Sequence, residues 1–230
     1  MTKPELKIDW ASYDAAKFAC EKFHYSGTIP RAGLVKIGVW EGGDFKGVII
    51  YSRGASPNLM DPYGIDSTEG CELTRVALTD HEHEVTKMLS ESRKLLKEQN
   101  PNLRIVISFA DPKEGHLGGI YQADNWFYLG KTNPSRRYKA PDGKLYHPRN
   151  ISKDGIVKYG DEYRKSWRTD QCESIKLPGK FRYAYPLDKP MRYELQDMGQ
   201  RGNYPGEEDL PDNWREIKDR MNSMSDDQTG

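Results

Sequence analysis

The 230-residue chain contains no run of apolar residues near the roughly 20 that a membrane helix requires, and its mean hydropathy is −0.88, so no membrane partner is expected. Cysteine is scarce: Cys20, Cys71 and Cys172 are an odd number at wide spacing, which fits reduced thiols better than a disulfide framework. The chain has no C-x-x-C pair, which excludes a zinc ribbon, and no internal repeat. Its first residues, MTKPELKIDW, lack the basic start, apolar stretch and small-residue cleavage site of a secretory signal, so a cytoplasmic location is expected. An excess of charge is missing too, with Lys+Arg 35 against Asp+Glu 35.

That zero sum hides a segregation. Residues 1–129 carry 15 basic and 18 acidic side chains (−3), residues 130–203 carry 17 and 9 (+8), and residues 204–230 carry 3 and 8 (−5). The length exceeds a common domain of about 100 to 150 residues, which suggests one core with extensions. The expected division is a core over 1–132, a basic and aromatic extension over 133–205 that completes the sheet and contacts DNA, and an acidic, partly disordered tail over 206–230.

Between residues 11 and 23, Tyr13, Ala16, Phe18, Ala19, Cys20 and Phe23 recur at helical spacing and predict an amphipathic helix. It runs out in the loop 24–30, where Gly27 and Pro30 break the pattern. Residues 34–40 and 46–51 read as a hairpin about Gly42-Gly43, and residues 72–78 as a further strand. A helix is predicted over 85–99, ending at Asn100-Pro101. Residues 103–110, LRIVISFA, are the most apolar run and are expected at the centre of the sheet. A short helix over about 116–123, a strand over 126–132, a last strand at 181–186 and a helix around 212–221 complete the prediction; from 133 to 170 the periodicity fades. This order gives an α/β (α+β) class, with a mixed, mostly antiparallel sheet flanked by helices and one right-handed strand–helix–strand crossover. It resembles the order in GNAT acetyltransferases, which implies a cleft for acyl-CoA and acceptor where the central strands splay.

The densest polar cluster follows the apolar strand: Ser108-Phe109-Ala110-Asp111, then His116 and, a helical turn later, Tyr121. Carboxylate, imidazole and phenol suit general acid–base work. Equally, Asp111 and His116 could cap the next helical turn, and Tyr121 could simply pack. His24 and Tyr25 form a second candidate, on the loop that would border an acceptor cleft. Arg75, flanked by Leu73, Val76 and Leu78, needs an anionic partner, either a structural carboxylate or a bound phosphate. Where GNAT enzymes grip a pyrophosphate with a Gly-rich turn, residues 79–84 read TDHEHE, with no glycine and three carboxylates. His81 and His83 also stand at a metal-like spacing. Through the basic stretch, cations alternate with aromatics, as in Arg136-Arg137-Tyr138, Arg149, and Arg164 with Trp167-Arg168, which is the pattern a nucleic-acid surface requires. The other reading is a solvated, tyrosine-rich subdomain.

His24-Tyr25-Ser26-Gly27 with Pro30, Glu72-Leu73-Thr74-Arg75, Ser108-Phe109-Ala110-Asp111 with Gly115-His116 and Gly119-Ile120-Tyr121-Gln122-Ala123, and Asn125-Trp126 through Gly130 together resemble the Mom family of phage DNA adenine modification proteins. The resemblance implies a divergent GNAT fold converting adenine in DNA to N6-carbamoylmethyladenine, which protects phage DNA from host restriction. It implies His24, Asp111 and Tyr121 at the reacting centre and Arg75 on the cofactor side. The partner would be double-stranded DNA with a flipped adenine. For the donor it leaves open acetyl-CoA or a related acyl compound, and for a metal an iron held by His24, His116 and Asp111; a homodimer is among the arrangements open to it. The rival classes are a conventional N-acetyltransferase acting on a small amine or peptide, and a non-catalytic DNA-binding protein.

Overall fold

A strand that the sequence pattern did not announce comes first: β1 (Leu6–Trp10) pairs antiparallel with the hairpin that follows the opening helix. That helix, α1 (Tyr13–Phe23), starts where the Ser12 hydroxyl accepts from the Ala15 amide, and buries Ala16, Ala19 and Cys20 on one face. Next come β2 (Val35–Glu41) and β3 (Asp44–Ser52), reversed at Gly42 and Gly43 with φ of 58° and 94°. Then follow β4 (Gly70–Leu78), α2 (Val85–Gln99), β5 (Ile105–Ala110), α3 (Gly119–Ala123) and β6 (Phe127–Lys131). In this computed structural model residues 2–31, 33–54, 56–199 and 203–225 are described.

The stretch where periodicity faded is full of short strands: β7 (Ser135–Lys139), β8 (Leu145–Tyr146), β9 (Ile151–Ser152), β10 (Ile156–Tyr159), β11 (Glu162–Lys165), β12 (Trp167–Arg168) and β13 (Glu173–Leu177). Their side chains are mostly polar or charged, so they lack the apolar alternation that marks a half-buried strand. The chain ends with β14 (Phe181–Pro186), α4 (Lys189–Met198) and α5 (Trp214–Ser225). Part of the tail expected to be disordered lies outside the described residues.

Seven strands form one sheet in the order β1-β2-β3-β4-β5-β14-β6. The first four run antiparallel to their neighbours, while β4 and β5 are parallel, joined by α2. The class is therefore mixed α+β and mostly antiparallel, as expected. β5 is fully inside the sheet but fifth of seven, with β4 at the middle; β14, from far along the chain, inserts between β5 and β6.

The chain divides into two compact units: Met1–Phe109 with Gly118–Gly130 and Arg182–Tyr204, and Ala110–Leu117 with Lys131–Phe181 and Pro205–Gly230. The first unit packs α1 on Val48, Ile50 and Ala77, and a second cluster joins Met60, Ile105, Ile107, Phe127, Ala184, Met191 and Leu195. The second unit holds the sheet β13-β7-β8, the pair β10-β11 and the pair β12-β9. Its small core joins Ile175 and Leu177 to Leu145 on β8 and to Ile217 and Met221 on α5. Among the described residues no helix is long and apolar enough to cross a membrane.

One buried ion pair fastens α2 to the end of α3. The Arg93 guanidinium donates to both Asp124 oxygens, and both side chains are at least nine-tenths buried. The Trp126 indole N–H donates to the same carboxylate at 2.8 Å, and the Tyr185 ring lies 3.8 Å from the guanidinium carbon. Removing one partner strands the other charge away from water, so Arg93→Ala should cost about 3–5 kcal/mol. A urea unfolding midpoint near the wild-type value would contradict this.

Candidate active site

The parallel register of β4 with β5 covers only Gly70 with Ile105, Cys71 with Val106 and Glu72 with Ile107. Just beyond it the Leu73 carbonyl takes its hydrogen bond from the Ser108 hydroxyl at 2.7 Å. Ser108 is 1% exposed, and its oxygen is also 2.7 Å from the Tyr121 hydroxyl. A serine has one hydrogen to give, so with that hydrogen on Leu73 the Tyr121 O–H donates to Ser108. The lone polar residue in an apolar strand thus positions the phenol.

Tyr121 reaches this place because Gly118 sits at φ 84°, where a Cβ would lie 2.5 Å from the Tyr183 ring, and because α3 starts directly after it. The helix begins at 119 rather than 116 for this reason. The Tyr121 ring packs at 5.0 Å from Trp126 and 5.1 Å from Tyr183. Burial pushes its hydroxyl up to about 12; the Ser108 bond and Arg75 pull against this, while Tyr25 and Glu72 reinforce it. At neutral pH Tyr121 is therefore a protonated phenol.

His24, the residue at the end of α1, lies with its ring 4.2 Å from that of Tyr25, which is 57% exposed. His24 Nδ1 accepts from the Ser26 amide at 3.1 Å, so the neutral ring carries its hydrogen on Nε2. Arg75 donates through one terminal nitrogen to the Thr74 carbonyl at 2.8 Å, while its Nε is buried without a partner. This unit therefore gathers Tyr121, Ser108, Tyr25, Glu72 and Arg75 within electrostatic reach of one another, with His24 stacked on Tyr25.

Asp111 and His116 belong to the other unit. The Asp111 carboxylate accepts from the Lys113 amide at 3.2 Å, capping the turn Pro112–Glu114, and faces Lys180 Nζ at 3.3 Å. The capping alternative is thus realised at one oxygen, and the other takes a cation. Glu114, at 7% side-chain exposure, pairs with Lys113 and Lys218. Desolvation lowers the His116 imidazole below its ordinary range, against the pull of Glu114. Helix α5 holds this turn: a Cβ on Gly115 would lie 2.7 Å from the Trp214 ring. The expected iron set of His24, His116 and Asp111 is corrected here. Among the described residues no group of three His, Cys, Asp or Glu side chains could hold a metal ion, and the Asp111 carboxylate is engaged by Lys180 and the Lys113 amide. His81 and His83 are likewise committed, to the carbonyls of His83 and Pro4 at 2.8 Å each.

The turn between β4 and α2 does not fit a pyrophosphate. The Glu41 carboxylate, on a residue 3% exposed, already takes the Glu82 and His83 amides at 2.8 Å each. A built-in anion occupies the donors that a bound one would use, and Glu84 adds a further negative charge before α2. Burial pushes the Glu41 carboxyl up, but those two amides and the His83 and His81 rings more than offset this and hold it below the ordinary range. No acyl-CoA grip of that kind is present at this turn.

The basic and aromatic residues expected to touch DNA all lie in the second unit. Arg136, Arg137 and Tyr138 are on β7, Arg149 is in the turn after β8, Arg164 is on β11, and Trp167 and Arg168 form β12. Arg136, Arg149, Arg164 and Arg168 are exposed. Arg168 is paired with Asp170, and Arg164 with Glu162. Glu41 and Lys180 were given no site role in the sequence, and Ser108, though it opens the quoted polar cluster, was given none of its own. Only Ser108 carried a usable signal, since a polar group inside an apolar strand must find a partner.

A mixed α+β domain with a phenol held at the divergence of its parallel strands is the class defined by this geometry. The chain belongs to the Mom protein family, whose model matches residues 5–206. It is 29% identical over 195 residues to the methylcarbamoylase Mom of Escherichia phage Mu, covering 83% of this chain and 79% of that protein. In shape it is similar to a GNAT family acetyltransferase from Elizabethkingia anophelis solved with acetyl-CoA bound, with TM-score 0.40, 9% identity, and 79% and 98% of the two chains covered. An IAA acetyltransferase from Bacillus cereus gives TM-score 0.40 and 10% identity over 80% and 100%.

Two titrations check this site. Because the folded Tyr121 hydroxyl is raised from 10.0 to about 12, its contribution to stability is full below pH 10 and is lost as pH rises through 12. Tyr121→Phe should flatten the fall of the unfolding midpoint over that window. Glu41 has the opposite sign: its contribution is present above the ordinary carboxylate value of 4.5 and fades as pH drops below it. Glu41→Gln should lower stability at pH 7 by about 1–3 kcal/mol and weaken the acid dependence; equal acid curves for both proteins would contradict the assignment.

Proposed function

We propose that the chain is a transferase that places a carbamoylmethyl group on N6 of adenine in DNA. Membership of the Mom family supports the reaction class, and the buried phenol of Tyr121 on Ser108 is the observation that carries the mechanism. The adenine N6 hydrogens are paired in a duplex, so the base leaves the stack before reaction. As the new N6–carbon bond forms, N6 gives up a proton, and the donor's leaving group departs with the electron pair of the bond that breaks. Tyr121, a phenol at neutral pH, is proposed to protonate that leaving group, its hydroxyl hydrogen turning from Ser108 to the departing atom once the donor is bound. Asp111, a carboxylate oriented by Lys180, is proposed to accept the N6 proton.

His24 and Tyr25 offer a ring pair, half open to solvent, on which the extruded base can lie. Arg75, with its unpartnered buried Nε, is proposed to meet an anionic part of the donor. Arg136, Arg137, Tyr138, Arg149, Arg164, Trp167 and Arg168 are proposed to hold the duplex. The donor is an activated carbamoylmethyl compound; the conventional acetyl-CoA reading is disfavoured because Glu41 fills the Glu82 and His83 amides in the turn before α2. The enzyme would act in the cytoplasm of a phage-infected cell and shield DNA from restriction.

The decisive measurement is mass spectrometry of nucleosides from a plasmid propagated with the protein. Wild type should yield an adenosine bearing an added carbamoylmethyl group, and Tyr121→Phe should reduce it by roughly 100-fold or more. Asp111→Asn should give a comparable loss. An unmodified adenosine profile from well-folded wild-type protein would overturn the proposal.

A further inference from the structure

Residues 149–168 carry six basic side chains, Arg149, Lys153, Lys158, Arg164, Lys165 and Arg168, against Asp154, Asp161 and Glu162. Within them β10 and β11 form a two-stranded ribbon reversed at Gly160, with φ 64°. Such a ribbon is marginally stable alone, so it gains little by exposing large apolar groups. Yet Ile156, Tyr159 and Tyr163 are 52%, 64% and 72% exposed.

Residues directly opposite in an antiparallel pair share a face. The register puts Val157 and Arg164 with Tyr159 and Glu162 on one face of the ribbon. That face borders a cleft of about 500 Å3, completed by Tyr146, Asn150, Ser166 and Trp167. The volume lies within the range of about 300–1,000 Å3 usual for small-molecule sites. Its aromatic walls are fixed at their polar ends: the Tyr146 hydroxyl donates to Asp142 at 2.7 Å, and the Trp167 side chain bonds the same carboxylate. The Arg164 guanidinium lies 4.5 Å from the Tyr159 ring centre and bonds Glu162. The polar atoms of Tyr146 and Trp167 are therefore satisfied within the protein, while the Tyr159 ring, with Arg164 on one side, stays 64% exposed. An aliphatic ligand would use neither the planes nor the cations at the rim; a nucleobase trailing a phosphate would use both.

We propose that this cleft stacks an unpaired nucleobase of the DNA substrate, with Arg164 and Lys165 meeting its backbone phosphates. The inference rests on the reading of the substrate as DNA. No carboxylate or imidazole lines the cleft, so it holds a base and does not transform one. Stacking on any base is tolerant of sequence, and an opened duplex supplies unpaired bases beside the one that reacts.

The test is fluorescence anisotropy with a labelled single-stranded oligonucleotide and with its duplex. Tyr159→Ala should weaken single-strand binding roughly tenfold, while Tyr159→Phe, which keeps the ring, should bind as wild type. Tyr159 is mostly exposed, so both variants should keep the wild-type thermal midpoint by circular dichroism. Unchanged affinity in Tyr159→Ala would overturn the cleft assignment. The same unchanged affinity with a change in sedimentation from dimer to monomer would overturn it in favour of a second copy of the chain. Wild-type protein that binds neither DNA would overturn the reading of the substrate as well, an outcome distinct from failure of the cleft alone.

Discussion

A parallel strand pair that stops pairing leaves carbonyls in the sheet interior that still need donors, and most of the candidate chemistry depends on how this chain meets that need. Leu73 is the first residue of β4 past the stretch paired with β5, and its carbonyl takes a hydrogen bond from a side chain, Ser108. The cost of an unmet buried carbonyl, about 1–3 kcal/mol, makes the serine hydroxyl part of the fold. Its remaining lone pairs then decide where the Tyr121 hydroxyl goes. A structural requirement and the position of the proposed acid are therefore one hydrogen-bonded chain from Leu73 through Ser108 to Tyr121.

Charge follows the same rule. Two buried ions of the first unit are paired: Arg93 with Asp124, and Glu41 with two amides. In the second case two amides of the turn before α2 are taken up by a carboxylate of the protein's own. Exposed pairs such as Lys3 with Glu84 and Lys94 with Glu91 add little by comparison, since each charge is already well solvated. In the second unit the Arg and Lys side chains of β7, β11 and β12 stay largely at the surface, where their charge remains available to a polyanion.

The first 130 residues were legible because their apolar residues recur at helical spacing or run together in buried strands. Helix α1, the β2–β3 hairpin, β4, α2 and β5 lie within two residues of where periodicity put them. The strand β1 was missed because LKIDW alternates without a clear apolar face, being half-buried only at Leu6, Ile8 and Asp9. Strands β7 to β13 were missed for a related reason: they are short, and their side chains are mostly charged or aromatic and little buried. Asp111 and Tyr121 stood out as polar residues beside an apolar run. Glu41 did not, since nothing at the end of a hairpin marks a carboxylate as the ligand of amides 41 and 42 positions later.

Composition and order by themselves determined the mixed α+β class, the segregation of basic charge beyond residue 130, and the residue types available for proton transfer. Each depends on local spacing or on simple sums, which need no knowledge of the partner. Only the tertiary structure decided that β14 enters the sheet between β5 and β6, that Tyr121 is a buried donor, and that Lys180 faces Asp111. These are long-range pairings: they follow from which buried polar groups find one another once the chain has closed, and no periodicity along the chain records that choice.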